Sequence, residues 1–73
     1  MAKTSEDAVY KIVEVVGTSS KSWEDAASSA VATAASTLHD LRIAEIMKLD
    51  MKVEEGHVVA YRARVSLSFK YAP

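Results

Sequence analysis

The stretch that decides the fold is His57–Tyr71, "HVVAYRARVSLSFKY". His57, Val59, Tyr61, Ala63, Val65, Leu67, Phe69 and Tyr71 fall in one row, while Arg62, Arg64, Ser66, Ser68 and Lys70 fall in the other. A period of two with one apolar row is the mark of a long strand that buries one face.

Just before it, Glu54 to Gly56, "EEG", suits a three-residue hairpin loop, a type I turn followed by glycine in the left-handed conformation. That loop pairs Val53 with His57, Met51 with Val59, Leu49 with Tyr61 and Met47 with Ala63, apolar against apolar on every rung. A two-residue loop sets the apolar row of one strand on the polar side of the other. The partner strand, Arg42 to Val53, alternates with one fault: Glu45 falls in the apolar row with Ile43, Met47 and Leu49, while Ala44 and Ile46 fall in the polar row. A bulge near Ile46 mends the phase by turning Ala44 and Ile46 inward and Ile43 and Glu45 outward. Two readings of that outward pair stand: a structural bulge whose acid meets a neighbouring base, or a pocket between subunits near Ile43.

Upstream, "AVYKIVEVV" (Ala8 to Val16) reads as a strand with Val9, Val13 and Val15 on one side and Tyr10, Ile12 and Val16 on the other. Gly17 is expected to break it. The hydroxyls of Thr18, Ser19, Ser20 and Ser22 suit a helix start, and Glu24 and Asp25 suit the positive end of its dipole. The spacing of Trp23, Ala26, Ala27, Ala30, Ala34, Thr37 and Leu38 predicts a helix over Ser22 to Leu38. Its stripe is mostly methyl groups, so the helix can lie close to a sheet with Trp23 as a plug at one end, a packing role rather than ligand stacking.

The order is therefore β-α-β-β, an α+β fold in which an antiparallel three-stranded sheet, order 1-3-2, packs on one helix. One domain spans residues 8–73, and residues 1–7, "MAKTSED", form a disordered tail with nothing to bury. A seventeen-residue helix spans about 25 Å at 1.5 Å per residue, against roughly 50 Å for a fifteen-residue strand. One helix cannot cover that sheet. The overhang, at the Met51 and Val59 end or at the Leu67 and Phe69 end, calls for other copies of the chain.

Composition narrows function. The chain has 73 residues and no cysteine, so a disulfide, a thiolate metal site and a cysteine nucleophile are excluded, and oligomerisation is left as the staple of so small a core. His39 and His57 lack the spacing of a zinc site. A net charge of −1 offers no field for nucleic acid. No apolar run is long enough for a membrane span, and a soluble, cytoplasmic protein is the expectation. An acid–base role for Glu45, His39 or His57 lacks a paired nucleophile, so no enzyme is expected.

Taken together, "GTS" (Gly17 to Ser19), the alanine-repeat helix, "TLHDLRIAEI" (Thr37 to Ile46) and a long hairpin ending "VSLSF" (Val65 to Phe69) resemble the dodecin family, over essentially all of Val9 to Phe69. The resemblance implies a hollow particle of twelve subunits, a homododecamer built of trimers, that stores or sequesters small ligands, flavins in many members, without catalysis. It places the ligand-binding positions at Ile43, Glu45 and Arg62. Flavin-binding members carry a stacking tryptophan where Ile43 stands and a ring-bonding glutamine where Arg62 stands, so the usual flavin contacts are replaced. Trp23 matches an apolar helix position instead. "SWEDAA", "LRIAEI", "LDM" and "LSFK" are closest to the calcium dodecin branch, which implies calcium as an alternative ligand. Asp50 and Glu54 lack the dense oxygen spacing of a loop site, and an Arg62–Asp50 ion pair is the expected use of Asp50. A shell without any small ligand is the remaining alternative.

Overall fold

The N-cap of the helix sets the geometry of the first half of the chain. In the computed structural model, which describes residues 8–71, Ser22 adopts an extended backbone and its hydroxyl accepts the Asp25 amide at 3.0 Å. Ser19 braces the same turn: its hydroxyl donates to Asp25 Oδ2 at 2.7 Å and accepts the Lys21 amide at 2.9 Å. Helix α1 runs Trp23–Ala35, between strand β1 (Tyr10–Ser19) and the hairpin of β2 (Leu41–Glu54) and β3 (His57–Lys70). The sheet is antiparallel with order β1-β3-β2, as the alternation implies. The expected tail at residues 1–7 lies outside the described residues.

Three local expectations need correction. Gly17 does not end β1: the strand continues through Thr18 to Ser19. The glycine is required because the helix lies so close that a Cβ there would sit 2.1 Å from the Ala26 carbonyl oxygen and 3.0 Å from the Ala30 Cβ. The helix stops at Ala35 rather than Leu38, because the Ser36 and Thr37 hydroxyls donate back to the Thr33 and Ala34 carbonyls and end the ladder. Leu38 still packs on the core from the turn that follows.

The hairpin loop is the third correction. It has two residues, not three: Glu54 pairs with His57, and Glu55 and Gly56 both take positive φ, 50° and 80°, as a type I′ turn demands. The phase error this turn creates is removed one rung later. Val53 pairs with Val58 and Lys52 with Ala60, so Val59 is an extra residue in β3. Met51 therefore meets Tyr61 and Leu49 meets Ala63, in place of the expected Val59 and Tyr61. Further bulges at Met47 and Arg42 in β2 keep Ile46 opposite Val65, Ala44 opposite Leu67 and Leu41 opposite Phe69. The bulge expected near Ile46 is thus present, and Ala44 and Ile46 face the helix.

The core is thin. Ala26, Ala30 and Ala34 of α1 meet Ala63, Val65 and Leu67 of β3, and only Val65 and Leu67 among the larger side chains are fully enclosed. Trp23 closes the end of this layer. Its indole N–H donates to the Asp50 carbonyl at 3.0 Å, and its ring meets Tyr61 edge-on at 5.2 Å, so it packs as expected. Beyond it the sheet runs on without cover: the molecule measures 60 × 20 × 16 Å, and its Cα radius of gyration is 15.2 Å. A compact chain of this length is expected at about 11 Å.

Filling the glycine notch tests the close approach. Gly17→Ala should lower stability by at least about 2 kcal/mol, since the methyl must push a helix backbone aside. Thermal melting followed by circular dichroism reads the effect, and an unchanged midpoint would show that the helix does not rest on β1 as described.

Candidate functional site

The sheet has two faces of different character. On the helix side lie Val13, Val15 and Gly17 of β1, and the paired residues of β3 and β2 down to Met51, Val53 and Val58. The opposite, open face is a grid of rows read directly from the register. Ile12, Ser68 and Ile43 form the first; Glu14, Ser66 and Glu45 the second; Val16, Arg64 and Lys48 the third; Thr18, Arg62 and Asp50 the fourth. The bulges at Arg42 and Met47 put Ile43 and Glu45 in this grid; without them the phase of β2 would bury the acid under the helix.

All three positions assigned to ligand binding, Ile43, Glu45 and Arg62, lie on this open face. Ile43 is 55 % exposed at one end, over an apolar patch shared with Ile12, which is 60 % exposed. Glu45 is one row further along, and Arg62 lies at the far end of the grid. Arg62 is not free. Its Nε donates to Asp50 Oδ1 at 2.8 Å and its terminal nitrogen donates to Oδ2 at 3.1 Å, a bidentate pair straight across the two strands. The hydrogen bond from Arg62, helped by the charges of Arg62 and Arg64, holds the Asp50 carboxyl below its ordinary range, and the same pair raises Arg62. The pair therefore persists at neutral pH and opens only as acid protonates Asp50. The expected ion pair is present, between residues directly opposed in the register.

Glu45 departs from expectation. No base stands within ion-pairing distance of it among the described residues, where the other acid–base pairs are Arg42 with Asp40 and Lys52 with Glu54. Glu14, directly across Ser66 from it, likewise has no base within ion-pairing distance among the described residues. Sequence reading missed both Glu14 and Ser66 as members of a constellation. Their positions in the outward row were legible, but the register that aligns them with Glu45 depends on two bulges.

The acid–base alternative finds no support in the geometry. His57 lies at the hairpin tip, nine residues along β3 from the rung of Glu45, about 30 Å at strand spacing. His39 stands exposed in the turn after α1. No group of three histidine, cysteine or acidic side chains that could hold a metal ion occurs among the described residues. No helix of the described residues is long and apolar enough to cross a membrane.

On the helix side, shallow apolar grooves flank α1. One, of about 320 Å³, lies between Ala27, Val31 and Ala32 of the helix and Ala44, Ile46 and Val65 of the sheet. Another, of about 310 Å³, continues it past Trp23 to Leu49. These grooves run toward the uncovered hairpin, where Leu49, Met51, Val53 and Val58 are between 45 and 57 % exposed.

Comparison with known proteins places this architecture. The family model of dodecin matches residues 9–72. The calcium dodecin of Mycobacterium tuberculosis is 40 % identical over 65 residues, which are 89 % of this chain and 92 % of that protein. Its crystal structure, described as that of a calcium-chelating antigen with a novel calcium-binding site, superposes with a TM-score of 0.79 over 90 % of this chain and 94 % of that one. The dodecin of Streptomyces coelicolor superposes with a TM-score of 0.85 at 30 % identity, over 92 % and 96 % of the two chains. With the β-α-β-β order, the 1-3-2 sheet and the bulged hairpin all in place, the chain belongs to the dodecin family.

Proposed function

We propose that the protein is a non-enzymatic, cytoplasmic shell: residues 8–73 form one unit, twelve copies close into a hollow particle, and small ligands are held where open faces meet. The observation that carries this reading is the ratio of covered to uncovered apolar side chains. Among the described residues six hydrophobic ones are buried, three of them alanines on the helix, while thirteen large ones stand exposed. A core of that size does not offset the chain entropy of a domain this small, and copies of the chain supply the missing cover.

The ligand is of a different kind from flavin. Ile43 provides no π face for stacking, and Arg62 offers only donors, two of which Asp50 engages. Calcium is the second reading, favoured by the 40 % identity to a calcium dodecin. The Arg62–Asp50 pair occupies both carboxylate oxygens of Asp50, so Asp50 is a poor ligand for it.

Two measurements test the reading. Mass determination in solution should give about 95 kDa, twelve chains of 7.9 kDa; a stable monomer overturns the shell. Riboflavin added at one equivalent per site should keep its fluorescence. The double change Ile43→Trp with Arg62→Gln should restore quenching, whereas strong quenching by the unchanged protein would refute the altered-ligand reading.

A further inference from the structure

Ser66 is the only buried polar residue among those described, 7 % exposed, yet it does not face the helix. Its neighbours Val65 and Leu67 fill the core, so strand alternation turns Ser66 to the open face. There it is flanked by Glu14 on β1 and Glu45 on β2, each paired with it directly. Adjacent strands lie about 4.8 Å apart, so the two glutamate backbones stand roughly 10 Å apart with the serine midway. Two glutamate side chains can meet over its hydroxyl.

Among the described residues, no side chain in this row has a hydrogen-bond or ion-pair partner. Neither carboxylate has a base within ion-pairing distance among the described residues. The Ser66 hydroxyl takes part in no side-chain hydrogen bond there, and it is not among fully enclosed polar atoms, so it is not sealed off on the open face. The two like charges that flank this hydroxyl repel each other. A cation seated over Ser66 relieves that repulsion and takes the hydroxyl oxygen as a further donor.

We propose that Glu14, Ser66 and Glu45 form a divalent-cation site, with calcium as the preferred ion, complete within one chain. All donors are hard oxygens, which suit calcium or magnesium rather than zinc or copper. Three side chains rising from a flat row impose no octahedron, and calcium accepts irregular shells of six to eight oxygens, with water supplying the rest. Arg64 and Lys48 occupy the next row. Their repulsion makes the site a weak one, with a dissociation constant of about 10⁻⁴ to 10⁻³ M that rises with salt. This deepens the calcium reading given above and rests on it only for the choice of ion.

Calorimetric titration of the full chain with calcium chloride tests the site, with magnesium chloride in parallel. One calcium per chain should bind, more tightly than magnesium. Glu14→Gln and Glu45→Gln should each weaken binding by roughly tenfold or more. Ser66→Lys, which puts an ammonium group where the ion sits, should abolish uptake while the protein stays folded by circular dichroism. Glu54→Gln at the hairpin tip should change nothing. Absence of calcium uptake at millimolar concentration overturns the proposal, as does uptake that survives both glutamine variants. Mass measurement on the same samples separates this from the shell: a monomer that binds calcium through Glu14 and Glu45 keeps the site and loses the shell.

Discussion

The closeness of α1 to the sheet governs everything else in this chain. Gly17 leaves no Cβ where the Ala26 carbonyl passes, and Ala26, Ala30 and Ala34 present only methyl groups to Ala63, Val65 and Leu67. Such a layer packs tightly but buries little area per residue, and apolar burial is what stabilises a domain. Larger side chains on the helix would lift it off and cover more of the sheet, at the cost of the contact along β1. The chain keeps the contact. The uncovered hairpin follows from that choice: about 20 Å of helix lies against a β3 of about 46 Å, and the surplus carries Leu49, Met51, Val53 and Val58 into solvent.

The bulges solve a related problem of sidedness. A sheet half covered on one face must keep its apolar row on that face from end to end, because a slip of one residue exchanges the two faces. β2 and β3 keep it by inserting single residues, Arg42 and Met47 in one strand and Val59 in the other. Each insertion also bends its strand and raises the local twist. The open face gains its order from the same device: Ile43, Glu45, Lys48 and Asp50 stand in line with Ser68, Ser66, Arg64 and Arg62 only because β2 is bulged twice.

The fold was legible in the sequence to the extent that alternation and capping determine it. The strict period of two in β3, the serine caps and the alanine stripe each have one structural solution, and together they give the topology. The loop of the hairpin was not legible, since "EEG" fits a three-residue G1 turn as well as a two-residue type I′ turn. What separates them is a compensating bulge at Val59, an apolar residue among apolar neighbours that leaves no trace in the pattern. The role of Gly17 was hidden for a similar reason: glycine reads as a breaker unless the element that crosses it is known. Of the candidate site, Ile43 and Arg62 were placed on one face correctly. Of the two readings of Glu45, the one with a neighbouring base finds no such base among the described residues, because pairing across three strands cannot be read from one strand's order of charges.

The two ends of the open face answer the same electrostatic problem in different ways. At the hairpin end, Asp50 faces Arg62, and the pair satisfies both charges with two short hydrogen bonds at the surface, where water also shares the load. One row lies between that pair and the row in which a serine stands between two acids, so the strand that supplies arginine twice, at Arg62 and Arg64, withholds a base where the acids are doubled. A long basic side chain at Ser66 would have neutralised Glu14 and Glu45 within the chain and closed the row. With serine there, no base among the described residues neutralises the two acids, and three oxygen donors in a line suit the small cation proposed above. At the ends of the face Ile43 presents an aliphatic side chain and Arg62 is ion-paired to Asp50, so neither offers the row of oxygens that Glu14, Ser66 and Glu45 bring together.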